Sequence, residues 1–99
     1  MSTYFRGVFM YRYLLIFHGR VQGVGFRYFA QSTALKHSIT GFVKNEYDGT
    51  VSMEAQGSEK DLHNFLDILS KGNMFIRVDN IVKENISVIE NETKFKVKY

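Results

Sequence analysis

Nine consecutive residues, Gly19-Arg20-Val21-Gln22-Gly23-Val24-Gly25-Phe26-Arg27, place three glycines and two arginines together. This composition suits gripping an anion. Glycines at 19, 23 and 25 let the backbone turn sharply and approach a ligand, and a helix that follows them aims its free N–H groups and positive dipole end at the same place. Arg27 strengthens the reading, because a cation in a helix's first turn is disfavoured by about 0.3–1 kcal/mol unless an anion shares the site. Its guanidinium can grip two phosphate oxygens while backbone N–H groups hold a third. Arg20 reads at least as well as a solvated charge. The segment is neither of the common nucleotide loops: no Gly-Lys-Ser/Thr triplet is present, and Tyr28 stands where a third glycine would be required.

Other chemistries find less support. No two of His18, His37 and His63 stand at ligand spacing to one another, so no metal is expected. None of the serines sits in a nucleophile elbow or beside an obvious base. The chain has no cysteine, which removes disulfides, thiolate metal sites and a cysteine nucleophile together and suits a reducing compartment. The clearest apolar run, Tyr13 to Phe17, is five residues long, against the roughly 20 a membrane helix needs. The first residues do not resemble a signal peptide, so the sequons at Asn85 and Asn91 carry no weight and a cytoplasmic protein without membrane contact is expected. Thirteen Lys and Arg against ten Asp and Glu give a net charge of +3. That excess admits a polyanion and equally suits a small anionic substrate.

The elements that must position these residues follow from periodicity. The 99 residues, 44% hydrophobic and 23% charged, fit one ordinary globular domain. Residues 1–10 lack clear periodicity and are expected to be a loosely ordered extension, with the domain proper at 11–99. Tyr11 to Phe17 reads as a central strand ending at His18-Gly19, and Phe26 to about His37 reads as a helix with Phe26, Phe29, Ala30, Thr33 and Ala34 at helical spacing. Thr40–Asn45 and Thr50–Gln56 flank Asp48-Gly49, a hairpin signal. Ser58 begins a second helix in a capping-box-like start, its stripe is Leu62, Phe65, Leu66 and Leu69, and Lys71-Gly72 closes it. Ile76–Val82 is β-rich, Glu84–Glu92 resists assignment, and Phe95, Val97 and Tyr99 alternate with Lys94, Lys96 and Lys98 as a half-buried strand whose lysines protect an edge. The resulting β-α-β-β-α-β order, with a final strand, predicts an α+β sandwich: an antiparallel sheet with two helices on one face.

The segment from Gly19 to Arg27 resembles the signature of the acylphosphatase family. A second stretch, Thr40-Gly41-Phe42-Val43-Lys44-Asn45, followed by Asp48-Gly49 and Val51, resembles the same family, and the likeness spans roughly Tyr11 to Tyr99. It implies a ferredoxin-like sandwich, the architecture reached above from element order. It implies Arg27 as the phosphate-binding arginine, Asn45 as the asparagine that positions the attacking water, and the backbone N–H groups of Gln22, Gly23, Val24, Gly25, Phe26 and Arg27 as the phosphate cradle. Without that likeness Asn45 reads as a turn residue. The chain departs from the family in the Gly72-Asn73-Met74-Phe75 segment, where relatives often carry prolines, and in its ten additional N-terminal residues.

The activity implied is hydrolysis of an acyl phosphate to a carboxylate and inorganic phosphate, without metal or cofactor. Inorganic phosphate is then product and competitive inhibitor, no nucleic acid partner is expected, and a monomer suffices. The alternative is a ferredoxin-like RNA- or anion-binding module without catalysis, since that fold hosts sheet-face RNA readers. Gly41-Phe42-Val43 is only a fragment of the aromatic pattern such readers use, and no second aromatic motif accompanies it.

Overall fold

The structure is a computed structural model and describes residues 3–5 and 8–99. Its elements are β1 (Thr3–Phe5), β2 (Val8–Arg20), α1 (Phe26–Lys36), β3 (Thr40–Asn45), β4 (Val51–Ser58), α2 (Glu59–Lys71), β5 (Arg77–Ile86) and β6 (Phe95–Lys98). Strand β2 organises the sheet. One of its edges pairs with β4 from Met10 to Phe17, and the other pairs with β1 over Val8–Met10 and with β5 from Arg12 to Arg20. Beyond β4 come β3 and then β6.

Alternation along the strands decides where the core lies. Tyr13, Leu15 and Phe17 of β2, Val43 of β3, and Val51, Met53 and Ala55 of β4 are buried on one face. There they meet Phe26, Ala30 and Ala34 of α1 and Leu62, Phe65 and Leu69 of α2, so both helices cover that face, as the sequence predicts. Phe17 meets Phe26 with ring centroids 5.0 Å apart, and Phe65 meets Phe95 at 6.0 Å, tilted contacts that add to area burial. Helix α2 starts as its sequence requires: the Ser58 hydroxyl accepts from the Asp61 amide at 3.1 Å, Glu59 and Asp61 complement the dipole, and Gly72 closes the far end.

Three features depart from the sequence expectation. The sheet is antiparallel in every pair but one: β6 runs parallel to β3. The chain leaves β5 at the end of the sheet away from the glycine-rich loop, crosses there to the opposite edge and re-enters in the direction of β3. Strand β2 continues past His18 to Arg20 because a register shift between His18 and Gly19 lets its pairing with β5 go on. Within the expected N-terminal extension, residues 3–5 pair with β2, while the expectation of loose order at 1–2 and 6–7 lies outside the described residues.

The unassigned stretch after Glu84 also acquires a form. Residues 84–86 complete β5. Within 87–94 the Ile89 carbonyl and the Glu92 carboxylate are held by Gln56 and Arg12. Those two alternate with the core residues Ala55 and Tyr13 and so lie on the helix-free face of the sheet. Gln56 clamps the crossover in both directions, donating to the Ile89 carbonyl at 2.8 Å and accepting from the Ile89 amide at 2.9 Å. Beneath it Arg12 is 1% exposed, donating to Glu54 at 2.8 Å, to Gln56 at 3.1 Å and to both oxygens of Glu92 at 2.7 and 3.2 Å. Burial disfavours the Arg12 charge, but the bonds to Glu92 and Glu54 outweigh it and hold the guanidinium above its ordinary pKa.

Candidate functional site

Strands β2, β3 and β6 end on the same side of the sheet, because β2 and β3 both run antiparallel to β4 and β6 runs parallel to β3. That side gathers the glycine-rich loop, the start of α1, Asn45, the 46–50 turn and Lys98-Tyr99. The sequence-predicted residues on β2–α1 and on β3 are therefore brought to one end of the molecule.

Helix α1 begins without help from its own sequence. Its N-cap Gly25 has φ +80°, no side chain caps the first turn, and no acidic residue lies there. Gly23 shares the left-handed conformation at φ +71°, and a Cβ at either position would meet nothing within 4 Å, so backbone conformation rather than lack of space calls for glycine. Among the described residues, no backbone or side-chain acceptor takes the N–H groups of residues 22–28. A row of unpaired donors at a helix start is an anion-binding arrangement.

The loop is tied down by a side chain. Gln22 Nε2 donates to the carbonyls of Glu46 and Thr50, both at 2.8 Å, joining the cradle to the β3–β4 turn directly after Asn45. That turn is itself fixed. Asp48 accepts from the Thr50 hydroxyl at 2.6 Å and its amide at 3.0 Å, and these bonds hold the Asp48 carboxyl below the usual carboxylate pKa. Ser52 donates to Glu46 Oε2 at 2.5 Å.

Arg27 lies in the first turn of α1. One terminal nitrogen, Nη1, donates to the Lys98 carbonyl at 2.9 Å, and the guanidinium carbon sits 4.7 Å from the centroid of the Tyr99 ring. The Tyr99 hydroxyl shares a hydrogen bond with that of Tyr28, which raises the Tyr99 pKa. Arg27 is thus braced from β6 and Tyr99, while its Nε and Nη2 make no hydrogen bond among the described residues. Asn45, the final residue of β3, has a buried Oδ1 that accepts no hydrogen bond among the described residues. An acceptor left this way costs about 1–3 kcal/mol, and buried polar atoms without partners gather where function needs them.

Sequence reasoning named Arg27 and Asn45 as candidates and placed Gln22 in the cradle through its backbone only. It missed the Gln22 side-chain tie and the bracing of Arg27 by the Lys98 carbonyl and Tyr99. The bond from Arg27 to Lys98 spans 71 residues, and a backbone carbonyl carries no residue-type signal. Arg20 and His18 are exposed at the rim, and His63 is exposed on α2.

Comparison with known proteins bears on this arrangement. The family model described as Acylphosphatase matches residues 13–97. The acylphosphatase of Clostridium acetobutylicum is 57% identical over 90 residues, covering 91% of this chain and 99% of that one. The acylphosphatase of Geobacillus thermodenitrificans is 50% identical over 90 residues, 91% of this chain and 96% of its own. Among solved structures, the acylphosphatase from Bacillus subtilis superposes with a TM-score of 0.84 at 39% identity, covering 90% of this chain and 99% of that one.

Proposed function

The chain belongs to the acylphosphatase family of hydrolases, and from that premise we propose that it hydrolyses the carboxyl–phosphate bond of an acyl phosphate with Arg27, Asn45 and the 22–27 backbone as its machinery. The N–H groups of Gln22, Gly23, Val24, Gly25, Phe26 and Arg27 hold the phosphate oxygens, and the free guanidinium nitrogens of Arg27 complete the grip. The Asn45 Oδ1 accepts a hydrogen bond from a water and holds it in line with phosphorus.

The bond chemistry suits so few titrating groups. Water oxygen attacks phosphorus, the bond from phosphorus to the acyl oxygen breaks, and the carboxylate leaves with the electron pair. Carboxylic acids have pKa values near 4, so this leaving group needs no general acid. The water's proton passes to a phosphate oxygen of the substrate, since a neutral amide is no base at neutral pH. What the protein must supply is stabilisation of charge spread over the equatorial phosphate oxygens, and fixed N–H donors with one arginine do so without reorganising. Substrate and product phosphate share this cradle, so inorganic phosphate competes.

The observation that carries the reading is the unpaired, buried Asn45 Oδ1 at the sheet end that holds the unpaired loop amides. The test is benzoyl phosphate hydrolysis by the wild-type chain and by Arg27→Ala, each checked for folding by circular dichroism. The expected result is wild-type turnover and a variant that loses turnover and phosphate inhibition together. A folded variant that keeps either removes Arg27 from the role, and a folded wild type without turnover leaves an anion-binding module.

A further inference from the structure

Arginine carries a long side chain with many rotamers, and gripping an anion in one orientation means giving most of them up. What steadies Arg27 comes from the end of β6 and not from its own helix. The Lys98 carbonyl accepts from Nη1 at 2.9 Å, and the Tyr99 ring centroid lies 4.7 Å from the guanidinium carbon. These two supports differ in how they are themselves held. Lys98 is the last residue of β6 in register with β3, opposite Lys44. Tyr99 stands one step beyond that ladder and is 84% exposed. Exposed side chains change rotamer within picoseconds to nanoseconds, and a ring attracts a cation only while its face is turned to it. The Tyr99 ring therefore needs a tether.

Tyr28 provides it. This residue follows Arg27 in the first turn of α1, and its hydroxyl shares a hydrogen bond with that of Tyr99. Among the described residues the Tyr99 side chain makes no other hydrogen bond. The contacts close a ring, from Arg27 to the Tyr99 face, from the Tyr99 hydroxyl to Tyr28, and along one residue of helix back to Arg27. A second tie joins the same two elements one turn further along α1, where Gln31 Nε2 donates to the Phe95 carbonyl at 3.0 Å. The attachment of α1 to β6 thus has two separable parts. Gln31 holds the start of the strand, and Tyr28 holds the residue just past its end.

We propose that Tyr28 is a positioning residue for the reaction, its hydroxyl pinning the Tyr99 ring against Arg27 so that the guanidinium is oriented before an anion arrives. This rests on the hydrolase reading above. A guanidinium is planar, so a stacked face and one committed nitrogen set its orientation. Ordering it in advance lowers the entropy cost of gripping phosphate, which favours bound inorganic phosphate and the transition state alike. Loss of the tether should accordingly weaken both by the same factor.

The test measures kcat/KM for benzoyl phosphate, the inhibition constant of inorganic phosphate and Tm in five proteins: the wild type, Tyr28→Phe, Tyr99→Phe, Tyr28→Phe/Tyr99→Phe and Gln31→Ala. Circular dichroism checks folding. Each Phe substitution removes one hydroxyl from an exposed residue and leaves the Tyr99 ring in place. Each single Phe variant is expected to lower kcat/KM and to raise the phosphate inhibition constant by about threefold, the low end of what one net hydrogen bond provides, because this bond is open to water. The double variant is expected to be no worse than either single one, since the two hydroxyls make one bond. Gln31→Ala is expected to lower Tm and leave both kinetic quantities unchanged. Unchanged kinetics in Tyr28→Phe, losses that multiply in the double variant, or an equal loss in Gln31→Ala each overturn the positioning role while leaving the hydrolase reading in place. A folded wild type without turnover overturns the hydrolase reading and this role with it.

Discussion

Gln22→Ala tests whether the cradle is held in shape before a ligand arrives. The wild-type side chain makes two 2.8 Å hydrogen bonds, to the Glu46 and Thr50 carbonyls. A net hydrogen bond contributes about 0.5–1.5 kcal/mol. These carbonyls are only partly buried, so water recovers some of the loss, and the substitution is expected to cost about 1–2 kcal/mol. In a domain of this size that lowers Tm by about 4–16 °C. If the same energy also holds the loop amides in their converging geometry, kcat/KM for benzoyl phosphate falls by roughly 5–30-fold. The phosphate inhibition constant rises by a comparable factor, because the ground-state oxyanion uses the same donors. Steady-state kinetics, phosphate inhibition and a thermal melt on one preparation check all three quantities. A variant that loses thermal stability but keeps both kcat/KM and the inhibition constant refutes the reasoning, since the tie would then serve the fold and not the cradle.

Asn45→Ala is expected to lower kcat by about 10²-fold with little change in KM or phosphate inhibition, as for a contact made mainly in the transition state; an unchanged rate by steady-state assay returns Asn45 to a turn role. Arg12→Met removes the centre of the Arg12–Glu54–Glu92 cluster and is expected to lower stability by about 2–3 kcal/mol, below the 3–5 kcal/mol of a fully buried pair because both carboxylates keep some access to water. Urea unfolding measures it, and a change below about 0.5 kcal/mol contradicts the role given to the cluster. Asp48 is held below its ordinary pKa by Thr50, so its stabilising contribution is complete above the unfolded carboxylate value near 3.9 and disappears as pH falls through the lower folded value. Asp48→Asn should therefore flatten the acid limb of a Tm-against-pH curve, and identical limbs contradict the assignment.

What could be read in the sequence was what local chemistry encodes. The glycine-rich loop with Arg27, the Asp48-Gly49 turn and the Ser58-to-Gly72 boundaries of α2 all rest on residues close to one another in the chain, and each lies where the sequence placed it except that β2 takes in Gly19 and Arg20. The site's supports depend on distant partners. Arg27 is braced from 71 residues away, and Gln22 reaches backbone carbonyls that any residue would present. The stretch after Glu84 resisted assignment because its order comes from Gln56 and Arg12 on other strands, not from periodicity of its own. The parallel β3–β6 pair was hidden for a related reason: strand direction depends on where the preceding crossover lands, and residues 87–94 look like an ordinary polar loop. Asn45 was legible only through the family resemblance. Its orphaned acceptor is a property of burial, which no spacing reveals.

The placement of β2 bears on how fast the molecule can be made. This strand finds its long partners about 40 and 70 positions later in the chain, and β3 waits more than 50 residues for β6. Contacts of such long separation must close large loops before they are rewarded, which places folding toward the slow, millisecond-to-second end of two-state behaviour. With no proline anywhere in the chain, no isomerisation step can add a slower phase. Refolding should then appear as one exponential whose rate is set by topology alone, with Tyr11 to Arg20 left unpaired until their distant neighbours arrive.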